Sequence, residues 1–344
     1  MPTIRDGQRR GADLAPLDFD LLLAHALRRP KAFLYTHPEY RLNRRERWRL
    51  AYGLFRYRRG WSIAAITHRK EFYGLDFYVN RHVLIPRPET ELIVDEVIRE
   101  LTDYVELQNA RSVIPSEAER SRGISYGDER DSSTPPTKSG SVGMTEENRF
   151  VTQDNAKSRM KNREIMLIDV GTGSGCIPIA IMKASNYKNI KTIAVDNSRA
   201  ALRVARRNAR THRVPINFLR GNLLTPIISY LQTNKLTGRR IIITANLPYL
   251  TPQEFAAEPS IKKEPRHALV ADKNGLALYE KLLKQIQSLL PANTCSLQTF
   301  LEISPTQSSA ITNLFHQLLP QATVEIKTDL AGRDRVVKIT VPNC

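Results

Sequence analysis

Asp169 is followed by Val170-Gly171-Thr172-Gly173-Ser174-Gly175, and Asp196 lies 25 residues beyond Gly171. Glycines at 171, 173 and 175 let the backbone turn and approach a ligand without a Cβ in the way. A helix beginning near Cys176 would point its free amides at an anion. Asp196 directly follows the apolar run TIAV. A carboxylate at such a strand end can accept from both ribose hydroxyls, the alternative being a cap on a helix opening near Ser198. A third cluster, Asn246-Leu247-Pro248-Tyr249, ends the run RIIITA. It supplies an amide oxygen, a proline-fixed turn and an aromatic ring, and in isolation it reads as a strand-ending turn.

A pyrophosphate-binding turn would read GxGxxG, and a triphosphate loop would end in Gly-Lys-Ser/Thr; the GxGxG here matches neither. A sheet must hold these turns. Apolar runs at 165–170, 192–195, 215–219, 240–245, 299–303, 323–328 and 335–341 predict strands, and 176–184, 198–210, 276–290 and 306–318 predict helices. Their alternation implies an α/β fold with a mostly parallel sheet covered on both faces. The short turn around Ala331, Gly332 and Arg333 makes the last two strands an antiparallel hairpin.

Upstream, 17–27 and 44–58 predict the helices of a small N-terminal domain over 1–70. In the second of these, Trp48, Tyr52 and Phe55 share one side among arginines; the spacing predicts a core stripe, with RNA contact as the alternative. Residues 71–90 read as a hairpin or extended connector ending at Pro86-Arg87-Pro88, and a helix is expected from Thr90 to about Leu107. Half of the thirty residues 121–150 are Ser, Thr, Gly or Pro, so 109–160 is expected to be a flexible insertion in a catalytic domain spanning 91–344.

Across 344 residues, 41% are hydrophobic and 25% charged, a globular balance, and the formal charge of +17 suits either an anionic, nucleic-acid-associated partner or a solvated basic face. Cys176, Cys295 and Cys344 form no CxxC pair, which argues against a disulfide framework and a structural zinc site; no metal is expected. The start, MPTIRDGQRRGADLAP, lacks the apolar core of a secretory signal, and no run of 18 apolar residues occurs. The expected setting is therefore cytoplasmic and away from membranes, with an organellar matrix as the alternative.

The glycine turn resembles the first motif of class I methyltransferases, whose fold is Rossmann-like. That resemblance implies S-adenosylmethionine as cofactor. Asp169, Gly171, Thr172, Gly173 and Gly175 would face its methionine end, Asp196 its ribose, Asn222 its adenine, and Asn246 the edge of the same site. The family often places an acid where Asn222 stands; an amide can still accept there but carries no charge. Asn246-Leu247-Pro248-Tyr249 resembles the Asn-Pro-Pro-Tyr signature of enzymes that methylate a planar nitrogen, either an adenine amino group or a glutamine amide. Such a nitrogen has a delocalised lone pair and must be held in line with the methyl group. By the resemblance, the Asn246 side-chain oxygen and the Leu247 carbonyl take its two protons, Pro248 fixes the turn and Tyr249 walls the acceptor. Leu247 stands in place of the family's first proline, so that restraint on φ is lost.

Flanking blocks separate the two acceptors. Phe72-Tyr73-Gly74-Leu75, Leu84-Ile85-Pro86-Arg87-Pro88-Glu89-Thr90-Glu91, Glu264-Pro265-Arg266, Asn274-Gly275-Leu276, Leu301-Glu302-Ile303 with Gln307, and the run DLAGRDRVV from Asp329 resemble the peptide-chain release factor glutamine methyltransferases, the PrmC/HemK family. The resemblance implies a seven-stranded sheet with a terminal antiparallel hairpin, and a helical N-terminal domain that helps grip a protein substrate. It also implies methyl transfer to N5 of the glutamine in the Gly-Gly-Gln loop of class I release factors, by a monomer needing no stable nucleic acid. Arg87, Glu89 and Thr90 would shape the adjoining pocket wall or form an interdomain ion-pair and turn cluster. One block departs from the family: its Gly-x-Pro-x-Ala-Tyr-Ile stands here as Gly60-Trp61-Ser62-Ile63-Ala64-Ala65-Ile66. The competing functions are an adenine-N6 methyltransferase, an enzyme acting on a ribosomal-protein glutamine, and a noncatalytic RNA or protein binder that keeps the fold.

Overall fold

The structure, a computed structural model, describes residues 3–6, 14–113, 164–228, 240–289 and 297–341. Its N-terminal part packs four helices, α1 (Pro16–Leu27), α2 (Lys31–Thr36), α3 (Arg44–Arg58) and α4 (Ile63–Thr67). α3 opens on a reciprocal cap: the Asn43 side chain accepts from the Glu46 amide at 3.0 Å and Glu46 accepts from the Asn43 amide at 2.8 Å. Phe19, Leu22, Leu23, Leu27, Leu34 and Ile66 are buried in this core, with Leu50, Leu54 and Tyr57 of α3 packed against it.

Here the expected core stripe is corrected. Trp48, Tyr52 and Phe55 are 67%, 51% and 52% exposed. Two stripes share α3, and the buried one contains Gly53, where an added Cβ would stand at an ordinary contact distance of 3.5 Å from Leu22. Leu50, Leu54 and Tyr57 pack that face inward, which leaves the aromatic face outward. Trp48 and Tyr52 stack on each other outside, their ring centroids 5.5 Å apart.

The connector is a hairpin of β1 (Arg69–Phe72) and β2 (Leu75–Tyr78), turning at Tyr73 and Gly74, both with positive φ. Phe72 and Phe77 are buried beside Ile93, Val94 and Val97 of α5 (Glu91–Val113). A single 3₁₀ turn, Pro88–Thr90, precedes α5. α5 continues past the expected end near Leu107, through residues 109–113 of the expected insertion. Leu107, Gln108, Ala110 and Arg111 are good helix formers, and the serine- and glycine-rich composition begins only later. The rest of that insertion lies outside the described residues.

Seven strands then build one sheet: β3 (Ile165–Val170), β4 (Ile190–Asp196), β5 (Asn217–Arg220), β6 (Arg240–Ala245), β7 (Leu297–Glu302), β8 (Thr323–Thr328) and β9 (Asp334–Val341). Their order is β5-β4-β3-β6-β7-β9-β8. β3 to β7 pair in parallel, and β9 runs antiparallel to both β7 and β8. The central β3 is buried at every residue, as a parallel strand covered on both faces must be. α6 (Cys176–Ala184), α7 (Arg199–His212), α8 (Pro252–Ala257), α9 (Ala277–Leu289) and α10 (Ser308–Leu318) follow in the chain. One apolar layer joins the sheet to Leu282, Leu283 and Ile286 of α9 and to Ile311 and Phe315 of α10. On the other face, Ile177, Ile179 and Ile181 of α6 pack with α5. Because β4 lies on one side of β3 and β6 on the other, the chain reverses its winding there, and a crevice opens at the carboxyl ends of these strands.

Candidate active site

The glycine turn sits in that crevice. Gly171, Gly173 and Gly175 have φ of 73°, 54° and 79°, left-handed values that glycine adopts without strain. At Gly171 an added Cβ would also stand 3.1 Å from the Leu247 side chain. The β3–β6 register places Asp169 opposite Thr244, whose hydroxyl donates to Asp169 Oδ1 at 2.7 Å. Asp169 Oδ2 is buried without a hydrogen-bond partner. Burial pushes this carboxyl up to about 6. An orphaned acceptor beside a glycine turn fits a ligand that brings its own cationic donor.

Of the two tasks weighed for Asp196, the helix cap falls to Ser198, whose hydroxyl oxygen accepts from the Ala201 amide at 3.1 Å. Asp196 Oδ2 accepts from the Gly173 amide at 2.9 Å and its Oδ1 from the Ser198 amide at 2.8 Å, so it ties the glycine turn to the start of α7. Each oxygen keeps a further lone pair for a hydroxyl. Burial raises this carboxyl above its ordinary value. Asp196 and exposed Asn222 line one cavity with Gly171, Thr172 and Gly173, and the same cavity reaches Asn246, Leu247 and Pro248.

The expected acceptor half begins where β6 ends. In the β6–β7 register Ala245 pairs with Leu301, which carries the next residues, Asn246 and Glu302, alongside each other. Asn246 Nδ2 donates to Glu302 Oε2 at 2.7 Å and to Thr90 Oγ1 at 3.0 Å. The Tyr249 hydroxyl donates to Glu302 Oε1 at 3.2 Å. Burial, reinforced by the Glu302 carboxylate, raises the Tyr249 hydroxyl well above its ordinary value, so it stays a donor. Tyr279 of α9 donates to the Glu302 main-chain carbonyl and lies 3.4 Å from the Leu247 carbonyl. One hydroxyl proton serves the nearer oxygen, which leaves the Leu247 carbonyl able to accept.

Of the remaining expected residues, Arg87 and buried Thr90 line the cavity and Glu89 does not. Arg87 pairs with buried Glu264, whose other oxygen accepts from the Ile85 amide at 3.0 Å. Glu89 stands apart from this pair, 4.0 Å from Arg335. Arg335 in turn meets Asp329 at 3.0 Å, and Asp329 also accepts from the Ala331 and Arg333 amides in the β8–β9 turn.

Several residues quoted from the sequence without a role acquire one. Gln307 Nε2 donates to the carbonyls of Tyr249 at 3.0 Å and Asn274 at 2.9 Å, clasping the two loops. At Gly275, with φ of 82°, an added Cβ would fall 2.0 Å from the Tyr249 carbonyl oxygen. Glu302 and Glu264 fix the acceptor turn and the wall. The signal for all four was their place in conspicuous blocks; which atoms they touch is set by strand register and loop contact.

Comparison with known proteins follows the same lines. The family model of the methyltransferase small domain matches residues 156–231. The release factor glutamine methyltransferase of Enterococcus faecalis is 31% identical over 268 residues, covering 77% of this chain and 71% of that protein. The Bacillus anthracis protein of the same name is 25% identical over 321 residues, covering 92% and 90%. A solved structure of a release-factor-specific protein-(glutamine-N5) methyltransferase from Alicyclobacillus acidocaldarius is 19% identical, with a TM-score of 0.34, covering 77% of this chain and 99% of that one.

Proposed function

The chain belongs to the release factor glutamine methyltransferase family, and on that premise we propose that it methylates the side-chain amide nitrogen of a glutamine in a release factor, at the Gly-Gly-Gln loop of the class I factors. The observation that carries this reading is the shared cavity: the glycine turn after β3 and the Asn246 turn after β6 open into it side by side.

S-adenosylmethionine supplies an electrophilic methyl group on a sulfonium. Asp169 Oδ2 would accept from the cofactor's ammonium, the glycine turn would admit its methionine end, Asp196 would take the ribose hydroxyls and Asn222 would stand at the adenine end. Asn246 Oδ1 and the Leu247 carbonyl each accept one N–H of the incoming amide, which orients the nitrogen lone pair along the transfer direction. As the new N–C bond forms and the methyl–sulfur bond breaks, its electron pair remaining on a neutral thioether, positive charge grows on that nitrogen, and the same two oxygens stabilise it. Its proton is then lost without a dedicated base. Pro248 holds the turn, the Tyr249 ring limits the acceptor's path, and Arg87 and Thr90 shape the wall. The exposed aromatic face of α3 belongs to the helical part that grips the release factor.

Mapping the modified site on a treated release factor by peptide mass spectrometry tests this directly. Methylation is expected on the loop glutamine; methylation confined to another residue contradicts the reading.

A further inference from the structure

Beyond the acceptor turn itself, the geometry points to Glu302 as a positioning residue: it holds the Asn246 amide in one of its two orientations, the one whose oxygen meets the acceptor nitrogen. This rests on the glutamine-methylation reading above. A primary amide can rotate by half a turn and exchange its oxygen for its NH₂ at little steric cost. Only the orientation presenting Oδ1 accepts an N–H; the other sets donor against donor. What selects between them is the neighbour of Nδ2. Glu302 is 1% exposed, and its Oε2 lies 2.7 Å from Asn246 Nδ2. An ionised carboxylate can only accept, so it demands the NH₂. The second N–H goes to Thr90 Oγ1, which leaves Oδ1 as the group Asn246 has for the cavity.

The Glu302 carboxylate is itself held. Tyr249 donates to its other oxygen and Tyr279 to its main-chain carbonyl. The charged groups around it are Glu89, within the 3₁₀ turn, and Arg335, on β9; the first opposes its ionisation and the second favours it. Burial dominates and pushes the carboxyl up to about 7. Once protonated, Glu302 can donate to Oδ1, and the flipped amide becomes competitive. The switch therefore lies inside the pH range where the enzyme can be assayed.

The test is a double-mutant cycle on the full chain with Glu302→Gln, Asn246→Ala and both together, each assayed with release factor at saturating S-adenosylmethionine. A glutamine at 302 must donate from one end and no longer demands the NH₂. The expected result is a drop in kcat of about 10- to 100-fold for E302Q, with KM for the cofactor within twofold of the parent. In the parent enzyme kcat falls as pH drops below about 7, and this limb is absent in E302Q. Because Glu302 acts through Asn246, the double variant is no slower than N246A alone.

Unchanged kcat in E302Q, or losses that multiply in the double variant, overturns the inference. If E302Q does not fold, the parent enzyme still decides: the Asn246 side-chain ¹⁵N resonance, assigned by its loss in N246A, should shift as Glu302 takes up its proton, and a resonance constant from pH 5 to 9 overturns the proposal. Failure of the underlying reading looks different, since the parent enzyme itself then leaves the release factor unmethylated.

Discussion

Asp169 is the fifth residue of β3 and Asn246 lies one step beyond the end of the adjacent parallel strand β6, so the proposed cofactor anchor and the proposed acceptor anchor share one rigid frame. The two can nevertheless be separated by experiment, because their partners differ: Thr244 for Asp169, and Glu302 with Thr90 for Asn246.

Asn246→Ala is expected to lower kcat by about 10²–10³-fold, the scale for losing one preorganised stabilising group, while cofactor affinity by calorimetry stays within a few fold. A parallel loss of cofactor binding would move Asn246 into the cofactor site.

Asp169→Asn should exchange affinity for stability. The folded carboxyl is raised to about 6 from its ordinary value of 3.8, so the folded chain holds this proton more tightly than the unfolded chain does. The associated cost is small below the unfolded value, grows as pH rises through the interval, and persists above it. At pH 7 the amide removes that cost, raising the stability of the cofactor-free protein by up to about 3 kcal/mol, a gain that vanishes near pH 4. Cofactor affinity falls at the same time. In the parent protein affinity should decline as pH drops below about 6, since a protonated Asp169 no longer attracts an ammonium; calorimetric titrations from pH 5 to 8 check both statements.

Gly275→Ala is expected to cost about 2–4 kcal/mol and most of the activity, although Gly275 touches neither ligand. The new methyl group would meet the Tyr249 carbonyl and the Gln307 amide, forcing the acceptor turn away from α10. Urea denaturation and steady-state kinetics measured together distinguish this from simple unfolding.

Arg87→Ala leaves buried Glu264 facing little but the Ile85 amide. The single variant should lose about 1–3 kcal/mol, and the double variant with Glu264→Gln should recover part of that loss. If Arg87 also contacts the acceptor, KM for release factor stays raised in the double variant while stability returns.

Much of this site is legible in the chain itself. The run from Asp169 to Gly175 forces a strand, a tight turn and a helix start in that order, and the strands at 165–170, 240–245 and 323–328 fall where their apolar runs lie. Asn246 is readable because it ends such a run. Its dependence on Glu302 is not, because the two are 56 residues apart and meet only through the register of two parallel strands. The buried face of α3 escapes the sequence for a related reason: helical spacing shows that Trp48, Tyr52 and Phe55 share a side, but Leu50, Leu54 and Tyr57 offer a competing apolar side, and only tertiary packing decides which turns inward. Replacing these three aromatics with alanine should accordingly leave stability within about 1 kcal/mol of the parent, with any effect appearing in KM for the release factor.

The central claim is tested most directly by transfer of labelled methyl from S-adenosylmethionine. Purified class I release factor, the same factor with its loop glutamine replaced, a ribosomal-protein substrate, DNA and RNA would be offered side by side. Label is expected on the intact release factor alone. Label that survives replacement of the glutamine, or that appears only on nucleic acid, would contradict the assignment.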